Sequence, residues 1–187
     1  MDDERNLVDA CLVGRRDAFH TLVKRFESLV FGVCLRMLGD RHEAEDVAQE
    51  VFLRMHKSLH RWDKTRPLRH WLAAIAANRC RTALAQRRTR PSAAELVDAL
   101  PDHRSGEHDD RELKAALWEA VNELRADYRQ AFLLLHEQGL SYEEMASAMD
   151  RPIGTLKTWL HRARAELLGK LRSRGLAEEV AYDRPRT

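Results

Sequence analysis

The chain has 187 residues, enough for one ordinary domain or two small ones. Its net charge is +2 at pH 7 and its mean hydropathy is −0.56. It contains no secretory h-region and no apolar run long enough to span a bilayer, so we expect a cytoplasmic protein that does not insert into the membrane. Three cysteines lie far apart without a CxxC pair, which argues against a disulfide framework and favours buried free thiols.

The charge is distributed in blocks along the chain. Residues 61–90 contain nine Lys or Arg against one acid, and residues 151–174 contain seven against one. Residues 91–112 reverse the balance, with seven acids and two basic residues. Two basic blocks around an acidic stretch indicate two surfaces that face a polyanion, although solvated helix faces are also often charged.

The first half predicts long helices, because apolar residues recur with a 3.6-residue period and no stretch shows sustained strand alternation. One helix ends at Gly39, a typical C-cap, and Asp40 with Glu43 resembles a capping box that opens the next helix. The apolar face of the first helix contains Phe19, Leu22, Val23, Phe26, Val30, Val33 and Met37, and that of the second contains Ala44, Val47, Val51, Met55 and Leu59.

A polar loop at 61–66 precedes a third helix, for which Pro67 is a suitable start. The apolar pattern of this helix continues to about Gln86. From 87 to 110 the periodicity fades while prolines, a Ser-Gly pair and acids accumulate, which predicts a flexible linker. The predicted fold class is therefore all-α, with two small helical domains at 1–90 and 111–175, an acidic linker at 91–110 and a tail at 176–187.

Residues 139–167, GLSYEEMASAMDRPIGTLKTWLHRARAEL, predict two short helices joined by a tight turn. Ser141 and Glu144 match a full capping box, and Pro152 can begin a helix but cannot continue one. Two helices joined by a turn of this length are typical of a helix-turn-helix. The inner stripe of the second helix contains Ile153, Leu156, Leu160, Ala163 and Leu167.

The second of these helices has a polar and basic outer face. Arg and Lys donate to guanine or to phosphate, and Thr offers a hydroxyl and a methyl, so this face is suited to the major groove of DNA. A helical hairpin with a solvated basic face is the structural alternative. The outer residues are Thr155, Lys157, Thr158, His161, Arg162 and Arg164.

Three segments together resemble the extracytoplasmic-function group of bacterial sigma factors, the promoter-recognition subunits of RNA polymerase. Residues 139–167 resemble the helix-turn-helix that reads the minus 35 element. EAEDVAQEVFLRMHKSLHRWD resembles the segment that docks on the clamp helices of the largest polymerase subunit, and LRHWLAAIAANRCRTALAQRR resembles the segment that melts and reads the minus 10 element. In two places the chain departs from the family, with Asp150 where Gly is frequent and Trp159 where Arg is frequent.

The resemblance implies a role for three sets of residues. Contact with core polymerase would fall to Asp46, Gln49, Glu50, Phe52 and Leu53. Contact with the melted minus 10 strand would fall to Trp62, Asp63, Lys64, Thr65, Asn78, Arg81 and Thr82, in keeping with the basic groove, aromatic walls and polar groups that single strands require. Among the outer residues of the last helix, Lys157, Thr158, His161 and Arg162 match minus 35 readers. Core packing is the alternative for Phe52, Trp71 and Asn78.

The resemblance further implies a transcription initiation factor that catalyses nothing and needs no cofactor or metal. It implies three partners: core RNA polymerase, promoter DNA, and an anti-sigma factor that in some cases is anchored in the membrane.

Two other classes of protein compete with this interpretation. A stand-alone helix-turn-helix regulator would account for the second half of the chain only. A metal sensor or enzyme would use His56 and His60, which lie one turn apart, with His103 and His108 from the linker. No third ligand has convincing spacing and no nucleophile or phosphate-loop motif is present, so we interpret these histidines as surface residues.

Overall fold

The computed structural model describes residues 2–89 and 108–176, which fold into helices without a strand in either range. The first group contains α1 (Asp2–Leu12), α2 (Arg16–Leu38), α3 (Arg41–Ser58) and α4 (Leu68–Thr89), with a 3₁₀ turn at Leu59–Arg61. The second contains α5 (His108–Asn122), α6 (Ala126–Phe132), α7 (Tyr142–Met149) and α8 (Ile153–Ser173), with a π-helical turn at Leu133–Glu137. The all-α prediction is confirmed.

The predicted linker and tail lie mostly outside the described residues. Of the linker at 91–110, only the last three positions are described, and they already belong to α5, which begins at His108. Of the tail at 176–187, only Leu176 is described. Helix α4 continues to Thr89, three residues past the end that the apolar pattern predicts.

Two caps separate α2 from α3, as the sequence predicts. Gly39 has a φ of 73°, which glycine adopts at little cost, and its N–H donates to the Leu35 carbonyl at 2.8 Å. The Asp40 carboxylate accepts from the Glu43 N–H at 2.7 Å. The Glu43 carboxylate faces Arg87 at 3.5 Å, and this pair joins the start of α3 to the end of α4.

Helix α1 lies before the first helix that the sequence analysis predicts. Its Val8 is fully buried in a cluster with side chains of α2, α3 and α4 and with Trp62. Leu7 and Cys11, four residues apart, pack against the same cluster and were the available signal in the sequence. Helix α1 thereby contributes to the core of the first group.

The apolar pattern predicts one regular helix from about Tyr128 to Gly139. In the structure α6 ends at Phe132 and a π-helical turn follows it. The Gln138 N–H donates to the Leu133 carbonyl at 3.1 Å, the five-residue spacing of a π-helix. Gly139 then leaves the helix with a φ of 71°. The wider turn rotates the side chains that follow it relative to those of α6.

The two helices and the tight turn predicted at 139–167 are present as α7 and α8. The Ser141 hydroxyl accepts from the Glu144 N–H at 3.2 Å, and the Glu144 carboxylate accepts from the Ser141 N–H at 2.8 Å, which completes the capping box. Asp150 takes the left-handed conformation, with φ 51° and ψ 55°. Pro152 caps α8, which extends beyond the predicted Leu167 to Ser173.

The two groups of helices pack together around one shared core. A single buried cluster contains side chains from α2, α3 and α4 and from α5, α6, α7 and α8. Helix α4 contacts α6 and α7, and α2 contacts α5 and α6. The inner stripe predicted for α8 is buried, apart from a half-buried Ile153. The apolar pattern within each segment predicts two separate groups of helices and does not predict this contact.

Cys34 and Cys80 are buried free thiols, as expected, and Cys11 is a half-buried one. A hydrogen bond with the Cys34 thiol, together with burial, raises the pKa of Cys80, so its thiol stays protonated. None of the helices in the described ranges combines the length and the apolar composition that crossing a membrane requires.

Candidate functional site

The outer face of α3 carries the residues predicted to contact polymerase. Asp46, Gln49 and Glu50 are exposed, and Leu53 is 64% exposed although it is a large apolar residue. Phe52 is half-buried and packs against both core clusters, so it combines a core role with a place at the edge of this face.

A groove of about 500 Å³ begins beside Leu53 and runs toward α4. Glu50 forms an ion pair with Arg79 of α4 at its wall. Basic side chains supply much of the remaining lining, which includes Arg54, Lys57 and Arg61. The surface therefore offers one apolar anchor surrounded by charge, the composition expected of a helix-to-helix interface.

The loop before α4 exposes three of its four predicted DNA-contacting residues and buries the fourth. Asp63, Lys64 and Thr65 are exposed, whereas Trp62 is only 7% exposed. Trp62 packs in the cluster beneath α1, and its indole N–H lacks a hydrogen-bond partner among the described residues. In this arrangement the polar part of the loop, and not the aromatic part, faces outward.

Hydrogen bonds hold the loop in shape. Asp63 accepts from the hydroxyl of Thr65 at 2.7 Å and from its N–H at 2.9 Å, and these bonds lower the pKa of Asp63. Lys64 donates to Asp9 of α1 at 2.5 Å, and Arg5 donates to the Lys64 carbonyl at 3.1 Å. This role of α1 does not follow from any local sequence pattern, because the contacts join residues more than fifty positions apart.

Asn78, the predicted reader on α4, contacts the second group of helices. Its amide NH₂ donates to the Ala148 carbonyl at 2.6 Å, and its amide oxygen accepts from Gln130 at 2.8 Å. Arg81 is half-buried, and the exposed Thr82 donates to the Asn78 carbonyl at 3.0 Å. Both ends of the Asn78 amide are thus occupied within the chain.

A cavity of about 470 Å³ lies between the loop, α4 and α7. Arg61, Arg66 and His70 line its basic side, and the half-buried Trp71 lines its apolar side. Asp63, Asn78 and Glu144 also line it, so the cavity joins acidic groups to the basic and aromatic walls that an unstacked base requires.

The outer face of α8 is open. Lys157, Thr158, His161, Arg162 and Arg164 are exposed, and Thr155 is half-buried. These side chains occupy the half of α8 away from the buried stripe, with Thr158 and His161 near its middle and Thr155 and Arg164 at its two flanks, so a groove of duplex DNA would meet the middle of this face first.

Two side chains from α6 and the π-turn hold arginines of this face. The Arg162 guanidinium donates to the Tyr128 hydroxyl at 3.3 Å, and Arg164 contacts the ring of His136 at 3.1 Å. Burial and the charge of Arg164 lower the pKa of His136, which favours the neutral ring that can accept. Trp159 is half-buried and its ring lies 6.4 Å from that of Tyr128.

These supporting residues were not among the sequence predictions. Tyr128 and His136 lie eight residues apart, with Phe132 midway, and the Phe132 and His136 rings are 4.7 Å apart. Spacing by four along a helix places such residues on one face, which was the available signal. Their partners on α8 could be identified only from the packing of the helices.

Of the four histidines considered for metal binding, the structure describes the side chains of His56 and His60. His56 is exposed and packs edge-on against Phe19, with ring centroids 4.8 Å apart. Within the described residues no three His, Cys, Asp or Glu side chains are grouped as metal ligands. His103 and the side chain of His108 lie outside what the structure describes.

Comparison with known proteins identifies two matching family regions. Residues 22–90 match Sigma-70 region 2, and residues 114–167 match Sigma-70, region 4. The chain is 30% identical to the ECF RNA polymerase sigma-E factor of Escherichia coli, over 88% of this chain and 92% of that one. It is 29% identical to the RNA polymerase sigma-H factor of Pseudomonas aeruginosa, over 87% of this chain and 91% of that one.

A solved structure shares the fold. It is the sigma factor RpoE in complex with the anti-sigma factor NepR from Bartonella quintana, with a TM-score of 0.67 and 23% identity. The match covers 82% of this chain and 96% of that one.

Proposed function

Because the chain belongs to the extracytoplasmic-function sigma factors of bacterial RNA polymerase, we propose that it recruits core polymerase to promoters through three separate surfaces. It is a transcription initiation factor and not an enzyme. In the proposed division, residues 1–90 dock on polymerase and capture the minus 10 strand, residues 111–175 read the minus 35 element, and residues 91–110 join them.

The outer face of α3 is proposed to dock on the clamp helices of the largest polymerase subunit. The supporting observation is Leu53, which is 64% exposed on a helix whose opposite face is fully packed. An exposed leucine beside Asp46, Gln49 and Glu50 is suited to a helix partner, which would bury the leucine and pair with the carboxylates.

The loop and α4 are proposed to bind the melted minus 10 strand. Asp63, Lys64 and Thr65 are exposed, and Lys64 would exchange its pair with Asp9 for a contact with the strand. Arg81 and Thr82 lie further along α4. Trp62 faces the core here, so stacking a base on Trp62 would require the loop to move. Asn78 would read a base edge once its present partners have left.

The outer face of α8 is proposed to read the minus 35 element, and this exposed, ordered row of side chains is the observation that carries the proposal. Lys157, Thr158 and His161 lie toward the N-terminal half of the helix, from which a recognition helix contacts bases. Arg162 and Arg164 are held by Tyr128 and His136, which reduces the side-chain entropy that binding would cost.

Run-off transcription tests the proposal. Bacterial core polymerase is incubated with a genomic library of promoter fragments from the host, with and without the full-length protein. We expect start sites that depend on the protein and share two spaced elements. Absence of such start sites, with footprints formed by the protein alone, would instead support a stand-alone helix-turn-helix regulator.

Matched variants separate the surfaces. Leu53→Ser should weaken binding to core polymerase about tenfold or more, as expected for an interface hot spot. Val13→Ser is its control, because Val13 is 77% exposed and lies outside the proposed surface. If Lys157 contacts a base, Lys157→Ala should cost about 1–3 kcal/mol of binding free energy for the minus 35 element. If it contacts a phosphate, the substitution should lower the slope of log affinity against log salt concentration by about one. Lys24→Ala should have neither effect.

Regulation by an anti-sigma factor is the second part of the proposal. The structural relative named above is bound to such a factor, and the exposed surfaces of α3 and α8 are the ones an inhibitor would have to cover. We propose that the protein itself is cytoplasmic and that its anti-sigma partner is anchored in the membrane. Affinity purification from host membranes and from the soluble fraction would test this, and full activity in cells without any limiting partner would contradict it.

A further inference from the structure

We infer that Arg79 of α4 is a further contact for the phosphates of the melted strand, and that the Glu50 carboxylate of α3 occupies it until polymerase docks. The inference rests on the proposed function, in which the outer face of α3 docks on polymerase and α4 binds the minus 10 strand. Arg79 belongs to none of the three surfaces proposed above. Its pair with Glu50 links the first of those surfaces to the second.

The ion pair joins residues whose surfaces have different proposed partners. Glu50 is on the docking face of α3, and its carboxylate pairs with the Arg79 guanidinium. The Glu50 side chain is 51% exposed, so a partner helix can reach it directly. Arg79 follows Asn78, the residue of α4 proposed to read a base edge. A polymerase helix that takes the Glu50 carboxylate therefore frees a cation beside the strand-binding residues.

The groove that contains this pair adjoins the cavity between the loop, α4 and α7. Arg61 lines both of them, and the consecutive residues Asn78 and Arg79 line one each. A strand with a base in the cavity can therefore continue past Arg61 into the groove. Its next phosphates would then come close to Arg79.

The charges of the groove suit a phosphate backbone. Among the described residues that line it are the cations Arg54, Lys57, Arg61 and Arg79, and Glu50 is the one acid in that lining. Single strands bind in basic grooves of this kind. A guanidinium that pairs with a carboxylate offers it the same N–H groups that a phosphate would take. The strand therefore gains Arg79 only when Glu50 has another partner.

The pair is suited to exchange because it is exposed. Arg79 is 28% exposed, and water screens ion pairs at such positions, so they contribute little to stability. The coupling typical of exposed pairs corresponds to about a two- to fivefold change in an equilibrium constant. Breaking the pair should weaken polymerase docking by that factor. Because linkage is reciprocal, a bound strand that holds Arg79 should return the same factor to polymerase docking.

The first test measures the affinity of the full-length protein for core polymerase by fluorescence titration. Arg79→Gln leaves the Glu50 carboxylate unpaired, so it should bind core about two- to fivefold more tightly than the unmodified protein. Arg87→Gln is the matched control, because it removes the same charge from α4 and breaks a pair with α3, but its partner Glu43 lies outside the docking set. In a Glu50→Gln background the gain from Arg79→Gln should disappear. Circular dichroism confirms that each variant is folded.

The second test measures strand binding by the protein saturated with core polymerase. The probe is a fluorescein-labelled single strand of about 12 nucleotides, copied from the minus 10 region of a start site mapped by run-off transcription. Arg79→Gln should weaken binding and lower the slope of log affinity against log salt concentration by about 0.7, the value for one phosphate of a single strand. Arg87→Gln should change neither. Added strand should tighten core binding of the unmodified protein more than that of Arg79→Gln.

Two results would overturn the inference while the unmodified protein still supports run-off transcription. One is an Arg79→Gln variant that binds core no more tightly than Arg87→Gln, which would show that Glu50 is already available for docking. The other is an Arg79→Gln variant whose strand binding keeps the salt dependence of the unmodified protein, which would show that Arg79 meets no phosphate.

Failure of the proposed function looks different. The unmodified protein would then give no start sites with core polymerase, or Glu50→Gln would bind core as tightly as the unmodified protein. Either result would remove the premise of the inference and refute it together with the corresponding part of the proposed function.

Discussion

The turn between α7 and α8 allows a sharp prediction, because it depends on one exposed residue with a left-handed backbone. Asp150 has φ 51° and ψ 55° and is exposed, so substitution changes backbone strain more than packing. A left-handed conformation costs most non-glycine residues about 1–2 kcal/mol, costs Asp less, and is a genuine outlier for a β-branched residue. Glycine avoids the strain but has about 0.4–1 kcal/mol more unfolded-state entropy to lose.

We therefore expect Asp150→Gly to change the free energy of unfolding by less than about 1 kcal/mol, and Asp150→Val to lower it by about 1–2 kcal/mol. Urea denaturation followed by circular dichroism measures both. Arg151→Val is the control, because Arg151 is exposed, has a negative φ and precedes a proline, where an extended conformation suits a β-branched residue.

Equal stability of Asp150→Val and Asp150→Gly would refute the reasoning, since it would show that the left-handed turn is not formed or is freely exchanged for another. Because the turn sets the angle between α7 and α8, Asp150→Val should also weaken binding to minus 35 duplex, whereas Asp150→Gly should not.

Three other substitutions have expected outcomes. Leu156→Ala removes a fully buried side chain of α8 and should lower the free energy of unfolding by about 2–5 kcal/mol in urea denaturation. A loss below about 1 kcal/mol would contradict this, because it would mean that neighbouring side chains fill the cavity. Arg129→Met removes the buried donor to three backbone carbonyls and should cost about 2–4 kcal/mol, measured by thermal unfolding, unless water reaches those carbonyls. The pKa of Glu144 is lowered, so its contribution to the free energy of unfolding is present above about pH 4.5 and is lost as the pH falls through the folded-state pKa. Glu144→Gln should therefore flatten the acidic part of a plot of unfolding free energy against pH. An unchanged plot would contradict this role of Glu144.

Local signals in the sequence predicted the helices and their ends well. Gly39, Asp40, Ser141 and Pro152 each act within a few residues of their own position, so their roles as caps depend little on the rest of the fold. The buried stripe of α8 follows from the 3.6-residue period of its apolar residues alone. Helix α1 was missed because its apolar pattern is short, and the π-turn was missed because its apolar residues fit an ordinary helix equally well.

The candidate site was only partly predictable. An outward position on α8 or α3 follows from the helical period, so Lys157 and Leu53 were found as exposed candidates. Loop residues have no such period. Trp62 was predicted on a DNA-facing loop, and the structure places its side chain against α1, a helix more than fifty positions away in sequence.

The sequence by itself determined the helical class of this protein, the position of its turn at Asp150, the exposed basic face of α8 and its membership of the sigma factors. These properties depend on neighbours three to five residues apart or on recognisable local segments. Only the tertiary structure decided that Asn78 meets Ala148 and Gln130, that Arg36 meets Glu137, and that Tyr128 and His136 support the arginines of α8. Such contacts join side chains from distant parts of the chain, and which faces meet is set by the packing of whole helices and not by the pattern within any one of them.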